Sequence, residues 1–145
     1  MPRGEKHGGW APVYLIDTSV FTRTCHQSVA EALELLAPQG LDYSPMTGLE
    51  LRFSARNAAE WDGFAQALSA YTREPVSGED FDRADEVQRA LAERELRGRR
   101  PPNLLIAAQA ERRGLVVLHY DHDFELIASI TGQPHDWIVP RGSVD

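Results

Sequence analysis

Short apolar runs alternate with stretches of helical spacing along the chain. Val13-Tyr14-Leu15-Ile16 favours a buried strand and stops at Asp17-Thr18-Ser19, a turn in which Ser19 is placed to cap a helix. Val29, Ala32, Leu33 and Leu36 predict a helix over 28–37, ended by Pro38-Gln39-Gly40. A second short strand is expected at 41–44. Helices are expected at 47–55 and 58–71, the latter with Trp61, Phe64, Ala65 and Leu68 on one face. Glu74-Pro75-Val76 offers a weak strand. Phe81, Ala84, Val87 and Leu91 are core-spaced in a helix over 81–96. After a basic breaker at 98–102, an almost wholly apolar helix spans 104–113 and stops at Gly114. The remaining elements are a strand at 115–118, a turn at 119–123, a helix at 124–130 and a strand at 137–139.

Such alternation predicts an α/β fold around a mainly parallel sheet, in which ligands sit beyond the carboxyl ends of the strands. Asp17 follows the first strand, and Asp121 and Asp123 follow the strand at 115–118. The 145 residues suit about one domain, assigned to 13–145, with 1–12 as a loose tail. That tail has no apolar stretch of the signal-peptide kind, and no run approaches the length of a membrane span. The lone Cys25 excludes an internal disulfide and fits a reducing, cytosolic setting. It reads as an inert side chain.

The formal charge is −7, which argues against nucleic-acid binding by bulk charge. Fourteen of the fifteen basic residues are Arg, however, the side chain suited to bidentate phosphate contacts. Arg94, Arg97, Arg99 and Arg100 cluster, followed by Arg112 and Arg113. Arg97, Arg99, Arg100 and Arg112 are candidates for phosphate contacts, and each also reads as a solvated helix end.

Asp17, Glu50, Asp121 and Asp123 are candidates for one cation site, because Mg²⁺ and Mn²⁺ take oxygen ligands. Four converging carboxylates would also place part of the acidic excess where cations offset it. Each residue has a structural reading too. Thr47-Gly48-Leu49-Glu50 fits a capping box. Asp121 or Asp123 fits the cap of the helix near Phe124, and Asn103, after Pro102, the cap of its own helix. His119 and His122 read as surface residues of a turn, unneeded by a hard cation. Trp10, Trp61 and Trp137 read as core and edge packing.

Four segments together resemble the PIN-domain ribonucleases, specifically the VapC toxins of bacterial toxin–antitoxin pairs. They are Leu15-Ile16-Asp17-Thr18-Ser19; Leu49-Glu50 with Phe53-Ser54-Ala55-Arg56; Pro102-Asn103-Leu104-Leu105-Ile106-Ala107-Ala108; and Val117-Leu118-His119-Tyr120-Asp121-His122-Asp123-Phe124. The resemblance implies an α/β/α sandwich with four or five strands. It implies Mg²⁺- or Mn²⁺-dependent endonucleolytic cleavage of structured RNA, a VapB-like antitoxin partner and a homodimer. Asp17, Glu50 and Asp121 match the family's acidic positions, Asp123 an accessory one, and Ser19 a supporting hydroxyl. The implied chemistry is in-line hydrolysis by a metal-activated water. The chain departs at Asn103, where the family usually carries Asp. A neutral amide there weakens a Mg²⁺ site more than it disturbs the fold, so two readings stand: a nuclease weakened or inactivated at one ligand, or a catalytically silent RNA- or antitoxin-binding module. A phosphatase using Asp17 as nucleophile, or a phosphoaspartate receiver, lacks support. Ser19 stands where the haloacid-dehalogenase type needs a second Asp, and Lys6 in the tail is the sole lysine.

Overall fold

The computed structural model describes residues 12–145. Five strands form one all-parallel sheet: β1 (Tyr14–Ile16), β2 (Leu41–Tyr43), β3 (Thr72–Arg73), β4 (Val116–His119) and β5 (His135–Trp137), in the order β3-β2-β1-β4-β5. Seven helices connect them: α1 (Thr18–Phe21), α2 (Gln27–Leu36), α3 (Pro45–Arg52), α4 (Ala58–Leu68), α5 (Gly78–Glu93), α6 (Pro101–Arg113) and α7 (Asp123–Thr131), with a 3-10 turn at Ala37–Gln39. Every residue of β1, β2 and β4 is buried, as expected of parallel strands covered on both faces.

Alternate strand residues supply two cores, one on each face of the sheet. Leu15 and Val117 pack with Val87 and Leu91 of α5, Leu104 and Ile106 of α6, and Phe124 and Ile127 of α7. Tyr14, Ile16, Val116 and Leu118 pack on the other face with Val20 of α1 and with Val29 and Leu33 of α2. The result is the expected α/β/α sandwich. No helix among the described residues is long and apolar enough to cross a membrane.

Several boundaries differ from the periodicity. Asp17, rather than Ser19, caps the first helix, its carboxylate accepting from the Ser19 amide. α3 starts at Pro45, with Ser44 as its cap, because Pro at the first helical position lacks only a donor the helix would leave unpaired. Thr47 therefore lies inside the first turn and is no cap. α5 starts at Gly78, and its capping box is Ser77 with Asp80. α6 starts at Pro101 with Arg100 as cap, so Asn103 also falls inside a first turn. His122 occupies the cap position of α7, and the Asp121 carboxylate caps its first amide, that of Asp123. β3 forms at Thr72–Arg73 instead of 74–76, where Pro75 has no amide to donate. β5 pairs at His135–Trp137, leaving Ile138 and Val139 buried just beyond it. Trp61 and Phe81, assigned to apolar helix faces, are 45% and 55% exposed; Arg52 stacks on Trp61. Trp137 packs edge-on to Tyr120. Trp10 and the expected tail up to residue 11 lie outside the described residues.

Candidate active site

β1 and β4 are adjacent at the centre of the sheet, and connections leave them toward opposite edges. This is the switch point at which parallel sheets open a crevice beyond their carboxyl ends. Asp17 leaves β1 there, its amide still bonded to the Leu118 carbonyl at 2.8 Å, and Asp121 follows β4 by two residues.

Asp17 is 2% exposed. Its Oδ2 accepts from the Ser19 amide at 2.9 Å, whereas its Oδ1 is buried without a partner. Burial pushes its carboxyl up to about 6; bonds from Ser19 oppose the rise, and the nearby charges of Asp121 and Glu50 add to it. The Ser19 hydroxyl also accepts from the Tyr120 amide at 2.8 Å, tying the start of α1 to the end of β4.

Glu50, on α3, accepts from the Thr18 hydroxyl at 2.7 Å and from the Arg100 guanidinium at 3.0 Å. Its carboxylate faces the site instead of returning to Thr47. Thr47 is buried and lies 3.1 Å from the Thr18 hydroxyl. Asn103 is 2% exposed and donates through one amide nitrogen to Asp121 Oδ2 and Asp123 Oδ2, each at 3.0 Å. Asp121 Oδ1 accepts from the Asp123 amide at 2.9 Å. Asp123 further accepts from Arg99 at 2.9 Å and from the Arg100 amide at 3.3 Å. A cavity of about 420 Å³ opens before Glu50, bordered by Thr18, Leu49, Phe53 and Arg100.

Asp17, Ser19, Glu50, Asn103, Asp121 and Asp123 thus meet at one end of the sheet, with Arg99 and Arg100 beside them. Arg97 is exposed and touches this cluster only through its carbonyl, which accepts from Arg99. Arg112 lies at the other end of α6, bound to Asp80 and the Pro75 carbonyl. His122 is a surface residue paired with Glu125. His119, by contrast, is fully buried: its Nδ1 accepts from the Asp121 amide at 3.1 Å, and its Nε2 lies 2.8 Å from His135 Nδ1. Burial and His135 push its imidazole down to about 3, so it is neutral. Thr18 and His119 are the site-bordering residues that spacing alone missed. The burial of both faces of β4 was the available signal for His119.

Among the described residues, no three His, Cys, Asp or Glu side chains are already gathered as a metal-ligand cluster. Asn103, Arg99 and Arg100 hold the acidic groups instead. The donor set still fits a hard divalent cation. All the groups are oxygen donors, and the buried, unpartnered Oδ1 of Asp17 is a lone pair that a cation would satisfy.

Comparison with known proteins identifies the family and the fold. The PIN domain family matches residues 14–130. Ribonuclease VapC51 of Mycobacterium tuberculosis is 50% identical over 133 residues, spanning 91% of this chain and 97% of the relative. Ribonuclease VapC18 of the same organism is 38% identical over 136 residues, spanning 91% and 99%. The VapBC structure from Salmonella typhimurium shares the fold, with a TM-score of 0.71 and 19% identity over 88% of this chain and 98% of that one. The VapBC-5 structure from Mycobacterium tuberculosis aligns with a TM-score of 0.61 and 26% identity over 89% and 100%. The chain belongs to the PIN-domain family and, within it, to the VapC ribonucleases.

Proposed function

We propose that this protein is the toxin of a VapBC-type pair, an endoribonuclease that hydrolyses structured RNA with Mg²⁺ or Mn²⁺, and that Asn103 weakens it. The observation that carries the reading is the buried Asp17 carboxylate at the switch point of the sheet, with Oδ1 unpartnered and the charges of Asp121 and Glu50 nearby. Asp17 and Asp121 would hold the cation, with Glu50 and Asp123 bordering them. The bound ion supplies the activation of a water and the stabilisation of the leaving oxygen.

The chain's own groups prepare this chemistry. Ser19 orients Asp17, and Thr18 orients Glu50. Arg99 and Arg100 pair with Asp123 and Glu50; RNA phosphates would draw these guanidinium groups outward and leave the carboxylates free to hold a cation. Arg97 extends the same basic edge. A VapB-like antitoxin is the expected protein partner, in keeping with the neighbouring VapBC complexes. Leu49 and Phe53, 62% and 90% exposed beside the site, offer it apolar contact. A homodimer fits the same reading.

One observation favours a silent binding module instead: the neutral Asn103 side chain turns its NH₂ to Asp121 and Asp123, and that group donates and cannot ligate a cation. Cleavage of a panel of structured RNAs by this chain and by Asn103→Asp, in Mg²⁺, Mn²⁺ and EDTA, separates the two. Metal-dependent cleavage, stronger with Asp at 103, supports the nuclease. No cleavage by either, with retained antitoxin binding, supports the module.

A further inference from the structure

Behind the carboxylates lies a polar pair that the proposed function leaves unused. His119 ends β4, fully buried against the rings of Phe124 and Trp137. The sheet ladder stops there, and the next two amides end on side chains instead: Tyr120 N–H on the Ser19 hydroxyl, Asp121 N–H on His119 Nδ1. A backbone amide can only donate. His119 Nδ1 therefore carries the lone pair, and in this neutral ring the proton sits on Nε2. That proton is donated to His135 Nδ1 at 2.8 Å. One backbone N–H thus sets the tautomer of both rings.

We propose that His119, with its tautomer set by the Asp121 amide, is a positioning residue for the cation site. Its ring fixes the backbone at residue 121, so that the Asp121 carboxylate meets Asp17. The Phe124 amide bonds the Asp121 carbonyl at 3.2 Å, and the remaining holds act on the Asp121 carboxylate, one from Asn103 and one from the Asp123 amide. Those are the oxygens a cation would claim, whereas the His119 bond remains when it binds. The inference rests on the cation site of the proposed function.

Three measurements test it. In the wild-type chain, ring ¹⁵N shifts of His119 should show a bare Nδ1 and a protonated Nε2; the opposite tautomer overturns the proposal without any mutation. His119→Phe keeps ring volume without an acceptor, and His119→Asn returns an acceptor near the Nδ1 position. With both variants folded by circular dichroism, the Asp121 amide should exchange fast in His119→Phe and slowly in wild type and His119→Asn. The Mn²⁺ dissociation constant should rise about ten- to a hundredfold in His119→Phe and return to within a few-fold of wild type in His119→Asn. Mn²⁺ binding by His119→Phe equal to wild type, or no recovery in His119→Asn, overturns the proposal. Should wild type bind no Mn²⁺ that Asp17→Asn abolishes, the cation site itself fails and the inference with it, and the exchange data identify that case.

Discussion

Asn103 and Asp121 are joined by a hydrogen bond of 3.0 Å from amide nitrogen to carboxylate oxygen, and the same nitrogen reaches Asp123 at an equal distance. An uncharged NH₂ stands between two carboxylates at the mouth of the site. It pairs them without the charge a cation would bring.

Replacing that amide should separate stability from function. Asn103→Asp removes two donors and adds a third charge beside Asp121 and Asp123, so the metal-free protein should melt at a lower temperature. Mg²⁺ should restore more of that loss in Asn103→Asp than it adds to wild type, by linkage. RNA cleavage should rise at least about tenfold. Thermal unfolding with Mg²⁺ and with EDTA, beside a cleavage assay, checks all three. Lower activity with Asp at 103 would show that the amide is itself the better site residue.

The pH dependence of Asp17 has a definite sign. Its folded pKa, about 6, lies above the roughly 3.9 of an unfolded Asp. Folding therefore favours the protonated form. The burial cost is fully present above pH 6 and disappears as pH falls through 6 toward 4. About two pKa units correspond to about 3 kcal/mol. Asp17→Asn keeps the capping oxygen and should stabilise the metal-free protein at pH 7 by up to about that amount, with the gap closing by pH 4. The same variant should lose cleavage. Urea unfolding in EDTA at both pH values measures the gap; a less stable Asp17→Asn at pH 7 contradicts it.

Arg100 and Arg112 should differ in what they support. The Arg100–Glu50 pair is largely exposed on the arginine side and is worth at most about 1 kcal/mol. Arg100→Ala should leave stability almost unchanged while lowering the salt dependence of RNA binding by about one phosphate contact. Arg112 neutralises Asp80, whose side chain has no exposed surface. Arg112→Ala should cost about 3 kcal/mol and leave the salt slope intact. Denaturant midpoints and filter binding across a salt series distinguish the two.

Thr18→Val tests the least obvious member of the site. It keeps the side-chain shape and removes the hydroxyl that donates to Glu50 at 2.7 Å. Cleavage should fall about tenfold with the melting temperature within a few degrees of wild type, because the group is only partly buried. Activity equal to wild type would show that Arg100 alone suffices to place Glu50.

Much of this was legible along the chain. The β1 and β4 runs are continuous and apolar because both faces of each strand are covered, and such runs need no partner to be recognised. Asp17 and Asp121 were readable as strand-end carboxylates for the same reason. Ser44-Pro45 misled, because the stronger cap lay three residues before the Thr47 motif that resembles one. His119 misled because its polarity suggests a surface residue, while its hydrogen bonds are met inside.

By itself, then, the sequence determined the alternation of elements, the parallel sheet and the set of acidic candidates, since periodicity and strand-end position are local properties. Only the tertiary structure decided which candidates share a site and what each one touches. Glu50 meets an arginine 50 positions away, Asn103 meets carboxylates 18 and 20 away, and Ser19 meets an amide 101 away. Those distances close only through strand register and helix packing, which no local pattern encodes. Desolvation likewise comes from the assembled fold, and it is what raises the Asp17 carboxyl and leaves one of its oxygens without a partner.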